Sequence, residues 1–405
     1  MDIIIERGCG LDVHKKTITA CIMGIGLKKE IRTYNTMTND LLRLKMWLKE
    51  NFITHVAMES TGVYWKPVFN ILEDSFEVML VNARHVKNVP GRKTDVKDSE
   101  WLCKLLRSGL VRGSFIPPIE VRELRDLTRY KRKLIQNVTS EKQRIEKILE
   151  DANIKLSSIA SDTFGASGSR IIEELMKGKL DAEEMAELSK GRLRRRKEEL
   201  KEALVGKMQE NHKFMIKASL GHIKAIEEEL STLECRIQEK IERHFKAEYE
   251  LLKTIPGVKE NASVIIAEIG VNMAIFPTEM HLSSWAGMSP GNNESAGKKK
   301  PGTTTHGNKF LRSILTEFGW VAAKTKGTYL SAKYRSLVGR RGKKKTLVAV
   351  DHKILIMCYH ILKHKVPYKE LGGNYLDDRK KDRITKSYIK RLNGLGYTVT
   401  LKEAA

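Results

Sequence analysis

Paired cysteines, long apolar runs and nucleotide-binding loops are missing from this sequence of 405 residues. Its five cysteines are scattered and none forms a C-x-x-C pair, so neither a zinc site nor a disulfide framework is indicated, and a reducing cytosol fits best. No apolar run is long enough to cross a bilayer, and no basic region precedes the short apolar start. We therefore expect neither a membrane span nor a signal peptide. The absence of a G-x-x-x-x-G-K-[S/T] loop argues against a P-loop ATPase.

Acidic residues are also in short supply. The chain has 74 Lys and Arg against 50 Asp and Glu, which gives a net charge of +24. An excess of this kind indicates a polyanionic partner, and nucleic acid is the commonest one. The segment 296–350 carries fourteen Lys and Arg and one acid, Glu317. Its run GRRGKKK at 339–345 is predicted to contact phosphate, with a solvated loop as the alternative.

Composition and periodicity divide the chain into four segments. Residues 1–118 alternate helical spacing with short apolar runs such as THVAMES and EVMLVNA, which predicts an α/β domain with helices covering a sheet. Residues 119–250 space apolar residues by three and four among dense charges, which predicts long exposed helices in a coiled coil or an antiparallel pair. Residues 251–370 are predicted to be mostly helical around a Gly- and Lys-rich loop. They open with a helix-hairpin-helix-like element whose turn amides can grip phosphate. Residues 371–405 form a charged tail.

Four acids in the first segment suit one site. Asp12 follows a strand-like segment, Glu59 ends another, and Asp95 and Asp98 share one face at the start of a helix. Each acid alone is explained as a helix cap, a turn residue or a strand-end acid. Together they offer the hard oxygen ligands that suit Mg²⁺ or Mn²⁺, and two such ions can clamp the attacking and leaving oxygens of a phosphate. This layout is that of the ribonuclease-H-like fold. Its ATPase branch needs a glycine-rich loop after the first acid, which LDVHKKTI lacks.

Five motifs, taken in order, resemble one family. The segments GLDVHKKT, MESTGVYW and GRKTDVKDSEWL resemble the three motifs of the DEDD transposases of insertion-sequence family 110. The segments IPGVKENASVIIAEIG and WAGMSPGNNESAGKKKPGTTTHGNKFLR resemble that family's second domain. The resemblance covers roughly residues 1–118 and 251–365. Ser99 is a small departure, because the family often has Ala at this position.

The resemblance implies a fold, a site and partners. It implies a RuvC-like nuclease domain whose four acids form a catalytic, metal-binding tetrad, and a helical transposase domain with a catalytic serine. The pattern SPGNNESAGK puts that serine at Ser295, with Ser289 as the competing choice and Ser284 as a more distant one. It also implies double-stranded donor and target DNA and a structured noncoding RNA that pairs with both.

The neighbours of Ser295 favour the same chemistry. A serine hydroxyl needs activation, and a serine in a glycine-rich loop is usually just a turn residue. Here basic neighbours can neutralise a scissile phosphate, and metals held by the tetrad would help to deprotonate the hydroxyl. A phosphoserine would conserve the energy of the broken bond, so strands could be rejoined without ATP. The candidate nucleic-acid contacts are Lys298, Lys299, Lys300, Lys309, Arg312, Arg340 and Arg341.

These observations predict a transposase or site-specific recombinase of an insertion sequence. The nearest alternative is a RuvC-like endonuclease of the Holliday-junction type that uses water as nucleophile, and a third is a nucleic-acid-binding regulator with an inactive nuclease fold. The long helices suggest a homo-oligomer, a dimer or a dimer of dimers, in which one subunit's tetrad meets another's serine. We expect a cytoplasmic, nucleoid-associated prokaryotic protein without membrane contact.

Overall fold

The computed structural model of the protein describes residues 4–59, 62–81, 95–111, 113–291, 294–295, 297–299, 303–379 and 381–400. The chain forms two compact units, Met1–Pro117 and Pro118–Ala405. The boundaries that composition suggests near 250 and 370 would subdivide the second unit, and they stay predictions.

The first unit is built on a mixed five-stranded sheet. Its strands are β1 Arg7–Val13, β2 Thr17–Gly24, β3 Leu27–Asn35, β4 His55–Glu59 and β5 Glu77–Val81. They lie in the order β3-β2-β1-β4-β5. The first three strands pair antiparallel as a meander, whereas β1 with β4 and β4 with β5 pair in parallel. This mixed sheet is consistent with the predicted ribonuclease-H-like fold.

Helices cover both faces of this sheet. They are α1 Thr38–Glu50, α2 Trp65–Leu72 and α3 Asp95–Arg107. Successive strand residues point to opposite faces, so alternate residues enter different cores. Leu11 of β1 packs in one core with Leu44 of α1 and Val68 of α2. Ala57 of β4 packs on the opposite face with Leu105 of α3. Helix α3 therefore covers its own side of the sheet, which places it beside every second residue of β1 and β4.

In its described residues, the second unit is mostly helical and contains a short ribbon of strands β6 Glu294–Ser295 and β7 Lys298–Lys299. Its α-helices are α4 Ile119–Asp151, α5 Leu156–Ile159, α6 Ala166–Lys177, α7 Ala182–Glu187, α8 Lys197–Ala203, α9 Glu210–His244, α10 Lys246–Lys253, α11 Ala262–Ile269, α12 Glu279–Trp285, α13 Lys309–Lys324, α14 Tyr329–Arg341, α15 Lys343–His364, α16 Tyr375–Asp378 and α17 Lys381–Gly394. Short 3₁₀ helices occupy Leu193–Arg196, Lys259–Asn261 and Met273–Ile275. Within the described ranges, every helix is too short or too polar to cross a membrane.

The two longest helices, α4 and α9, pack against each other in opposite directions. Lys131 of α4 pairs with Glu234 of α9 at 2.9 Å, and Glu141 accepts from His222 at 3.2 Å. The partner number falls along α9 as the number rises along α4, so the pair is antiparallel. This arrangement is one of the two that the three- and four-residue spacing predicts. A supercoiled packing of the pair stays a prediction.

A tight glycine turn joins α10 to α11, where a helix, a Pro-Gly turn and a helix were predicted. Gly257 has a φ of +94°, a conformation that other residues adopt only with strain. A Cβ atom at this position would lie 2.8 Å from the carbonyl oxygen of Phe318 in α13. The turn thus packs directly on α13, and its grip on phosphate stays a prediction.

Candidate functional site

Two of the four predicted acids lie side by side on neighbouring strands. The parallel register of β1 and β4 pairs Leu11 with Met58, so the following residues, Asp12 and Glu59, occupy adjacent positions. Leu11 and Met58 both belong to the core under α1 and α2. Because side chains alternate along a strand, Asp12 and Glu59 both point to the opposite face, the side of α3. Both are half-buried.

Helix α3 brings its first turn to the same place. A Cβ on Gly8 would lie 3.2 Å from the Arg107 side chain at the end of α3, whereas a Cβ on Gly10 would lie 2.2 Å from the backbone oxygen of Ser99. The helix therefore runs opposite to β1, and two residues further along β1 comes Asp12. Two residues of a strand and four residues of a helix cover similar distances, about 6 Å. Since Gly10 faces Ser99, Asp12 is level with the start of α3.

The start of α3 carries the other two acids. Asp95 is the first residue of the helix and Asp98 is half-buried one turn later. The side chain of Asp95 lies outside the described residues. The order of β1, β4 and α3 thus puts Asp12, Glu59 and the start of α3 at the same edge of the sheet, which spacing along the sequence alone does not require.

One acid at this edge, Glu100, is paired with lysine side chains. Glu100, which follows the predicted pair, accepts from Lys104 at 2.6 Å and from Lys29 at 3.2 Å. The hydrogen bond from Lys104, followed by that from Lys29, lowers the pKa of the Glu100 carboxyl. Asp12 contacts the exposed ring of His14 at 3.1 Å. Among the described residues, neither Glu59 nor Asp98 has a lysine or arginine partner.

The donor chemistry of this edge fits a hard divalent cation. Its ligands would be carboxylate oxygens, which Mg²⁺ and Mn²⁺ prefer, and no thiol or imidazole is needed. Within the described residues, no three acid, histidine or cysteine side chains are already gathered into a metal site. The fit therefore rests on donor type and on the shared face of Asp12 and Glu59.

The segment around Ser295 forms an antiparallel ribbon where the sequence predicted a loop. The ribbon starts where the N–H of Thr305 donates to the carbonyl of Ser289 at 3.4 Å. It ends where Ser295 pairs with Lys298, and Gly297 between them takes a φ of +73°. Glycine permits this left-handed turn. Ser295 is therefore at the tip and Ser289 at the base, while the side chain of Ser295 lies outside the described residues.

Glycines and a buried acid anchor the base of the ribbon. A Cβ atom on Gly287 would lie 2.7 Å from the backbone nitrogen of Gly307. A Cβ atom on Gly307 would lie 2.2 Å from the backbone of Ala286. The next residue, Asn308, caps α13 by accepting from two backbone N–H groups, and its Nδ2 donates to Glu268 at 2.5 Å. The segments that enter and leave the ribbon therefore lie in close backbone contact, and the hydrogen bond from Asn308 to Glu268 connects them to α11.

Sequence reasoning passed over Glu268, which is fully buried in α11. Arg129 of α4 donates to both of its carboxylate oxygens at 2.8 Å. The guanidinium of Arg129 in turn lies 4.3 Å from the ring centroid of Phe310. This network links α4, α11 and the start of α13 behind the ribbon. A lone acid in the apolar run SVIIAEIG was the signal available in the sequence.

The predicted nucleic-acid contacts fall on two parts of the second unit. Lys309 is exposed at the start of α13, and Arg312 is half-buried and donates to Thr304 of the ribbon at 3.0 Å. Arg340 and Arg341 are exposed at the end of α14, one residue before α15 begins. The GRRGKKK run is thus a corner between two helices rather than a loop. The side chains of Lys298 and Lys299, and the whole of Lys300, lie outside the described residues.

Comparison with protein families gives two matches. Residues 9–154 match a transposase model named DEDD_Tnp_IS110, and residues 249–335 match the model of the transposase IS116/IS110/IS902 family. Together the two segments span more than half of the chain. Comparison with curated proteins found no match.

Proposed function

The chain belongs to the IS110 family of transposases, and on that premise we propose that it cuts and rejoins DNA through a serine-linked intermediate. The family establishes a DNA transposase or recombinase, which acts on DNA substrates. The proposal adds the residues and the chemistry. The observation that carries it is that Asp12 and Glu59 directly follow the paired residues Leu11 and Met58 and lie on the α3 side of adjacent parallel strands.

The four acids would hold Mg²⁺ or Mn²⁺ at this edge. Bound there, such ions would neutralise charge on the scissile phosphate and favour loss of the proton from an attacking hydroxyl. Asp12 and Glu59 contribute from rigid strands, and Asp98 from a helix packed tightly on β1. Their carboxylates would orient the phosphate for attack from one side. Glu100 is held by lysines and would not take part.

Ser295 would supply the nucleophile. Its Oγ would attack phosphorus and lose its proton, while the bond from phosphorus to the 3′ oxygen breaks and that oxygen gains a proton. The products are a 5′-phosphoserine and a free 3′-hydroxyl. A second 3′-hydroxyl would reverse the reaction on a new strand, so no ATP is consumed. The position of Ser295 at the ribbon tip supports its choice over Ser289, since a tip offers access to a DNA backbone.

Basic residues around the ribbon and at the corner between α14 and α15 would hold the DNA backbone. Lys309, Arg340 and Arg341 are exposed and would pair with phosphates. We further propose a structured guide RNA and a homo-oligomer in which one subunit's acids serve another's serine, at the nucleoid. The net charge of +24 supports a capacity for more than one nucleic acid.

Mapping a covalent protein–DNA adduct tests the proposal. With Mg²⁺ and a suicide DNA substrate, an adduct is expected on Ser295, and Ser295→Ala should abolish it while Ser289→Ala retains it. If Ser295→Ala still cuts DNA with no adduct, the water-using endonuclease is the correct function. An adduct on Ser289 would overturn the assignment of the nucleophile.

A second experiment tests the acids. Asp12→Asn is expected to lower cutting by about 100-fold or more while DNA binding is retained. Glu100→Gln is the matched control, because it removes a neighbouring carboxylate that is already paired with lysines. Mixing Asp12→Asn with Ser295→Ala should restore activity if the site is shared between subunits, and failure to complement would contradict that assembly.

A further inference from the structure

We propose that a cleft in the second unit binds one unpaired nucleobase together with its phosphate. The cleft has a volume of about 350 Å³ and lies between α14, α15 and residues 366–379. Three tyrosines line it, Tyr329, Tyr368 and Tyr375, and we name it the tyrosine cleft. Most of it lies beyond the residues that match the family models.

The aromatic walls are held in place by their neighbours. Tyr329 is buried at the start of α14 and meets Tyr375 edge-on, with ring centroids 5.8 Å apart and planes at 78°. The guanidinium of Arg379 lies 5.8 Å from the Tyr375 centroid. On the other side the hydroxyl of Tyr368 donates to Glu370 at 3.1 Å. Fixed aromatic rings favour the stacking of a planar ligand, and every nucleobase presents a π face.

The charges that line the cleft favour an anion. Lys353, Lys369 and Arg379 line it, and among the described residues its lining includes no acid. Outside the lining, the segment 366–379 carries Glu370, Asp377 and Asp378. Glu370 also accepts from two backbone N–H groups, each at 2.8 Å. That carboxylate is therefore committed to shaping the loop. Aromatic rings combined with lysine and arginine are the usual means of binding a base and its phosphate without sequence preference.

The hydroxyl groups and the volume agree with this ligand. Burial raises the pKa of Tyr368 and of Tyr329, so both hydroxyls stay neutral. The Tyr368 oxygen, whose proton is donated to Glu370, can accept a hydrogen bond from a base edge. Small-molecule pockets in proteins begin at about 300 Å³. At about 350 Å³, the tyrosine cleft is therefore within the range of pockets that bind a small ligand such as one nucleotide.

Strand exchange supplies such a ligand. When strands of two DNA molecules are cut and rejoined, base pairs open, and unpaired bases exist while the reaction proceeds. Stacking in a protein site offsets the free energy lost on unpairing. The inference rests on the chain's being a DNA recombinase, but on neither the four acids nor Ser295.

Equilibrium binding to oligonucleotide duplexes tests the inference. Fluorescence anisotropy of the full chain is measured without divalent cations, so failure of the serine mechanism leaves the result unaffected. One duplex carries a single unpaired thymine and the other is fully paired. Tyr375→Ala and Tyr368→Ala are each expected to weaken binding of the bulged duplex by about 5- to 150-fold, with the paired duplex changed less than about twofold. Tyr388→Ala, at a residue of α17 that is 64% exposed, is the control and should change neither.

Crosslinking of the unaltered protein gives an independent measurement. The unpaired position carries 5-iodouracil, in a DNA probe and in an RNA probe, and irradiation is expected to attach it to residues of the tyrosine cleft. Attachment to one probe alone identifies that nucleic acid as the ligand. The inference is overturned if the crosslink maps elsewhere, or if both alanine variants, folded by circular dichroism, bind the bulged duplex within about twofold of wild type.

Discussion

Replacing Gly10 with alanine is expected to push α3 away from β1. The new Cβ would lie 2.2 Å from the backbone oxygen of Ser99 and 2.5 Å from the backbone nitrogen of Cys103. Both atoms belong to the helix backbone, so no side-chain rotation relieves the clash. Restoring ordinary contact at 3.4 Å requires the helix and the strand to separate by about 1 Å.

This displacement has a cost in stability and a larger one in activity. Overpacking of a core costs about 1–3 kcal/mol, which for a unit of this size lowers Tm by roughly 4–12 °C. Asp98 moves with the helix, whereas Asp12 and Glu59 stay on their strands. A misplacement of about 1 Å in a catalytic constellation can lower the rate by about 100-fold. We therefore expect a folded protein that cuts DNA very slowly.

Gly8→Ala is the matched control on the same strand and the same face. Its closest contacts would be the side chains of Arg107 and Leu106, each at 3.2 Å, which can shift by a few tenths of an ångström, and the backbone oxygen of His55 at an ordinary 3.8 Å. We expect a stability change within about 1 kcal/mol and nearly normal cutting. Thermal unfolding and a Mg²⁺-dependent DNA-cutting assay measure both variants. Equal activity of the two, or normal activity of Gly10→Ala, would refute the idea that α3 must sit close to β1.

Three further variants test buried polar groups. Asp351 of α15 is fully buried, with a hydrogen bond from Thr316 at 3.2 Å, and burial raises its pKa to about 8. The folded state thus holds the proton more tightly than the unfolded state, so the free energy of unfolding falls as pH rises from about 4 to about 8. Asp351→Asn should remove that pH dependence and add roughly 3–5 kcal/mol to the free energy of unfolding at pH 8. Urea titrations at several pH values measure this. Ser99→Ala should raise stability by about 1 kcal/mol in thermal melts without loss of cutting, because the buried hydroxyl has no partner among the described residues; a destabilised variant would contradict this. Glu268→Gln should cost about 3–5 kcal/mol in chemical denaturation, because it leaves the charge of Arg129 uncompensated, and a loss under 1 kcal/mol would show that the network is dispensable.

Several elements were predictable because their signals are local. The short apolar runs of β4 and β5, the helical spacing in α1 and α4, and the Pro-Gly turn at Gly257 each depend on residues within a few positions. Residue types and flanking motifs also carried the resemblance that indicates the four acids and Ser295 as candidates, and their roles stay predictions. The ribbon was missed, because each of its strands is only two residues long and its sequence is rich in glycine and lysine without alternation, which is typical of a loop.

Residue type and short-range spacing thus determined, from the sequence alone, most of the elements, and they indicated four acids and a serine as candidates for the site. Only the tertiary structure decided that Asp12 and Glu59 share the face of α3, that Ser289 is at the base of the ribbon and Ser295 at its tip, and that Glu268 is buried. The reason is register and packing. A shift of one residue between strands would turn an acid to the opposite face, and pairings between distant segments leave no periodic trace in the sequence.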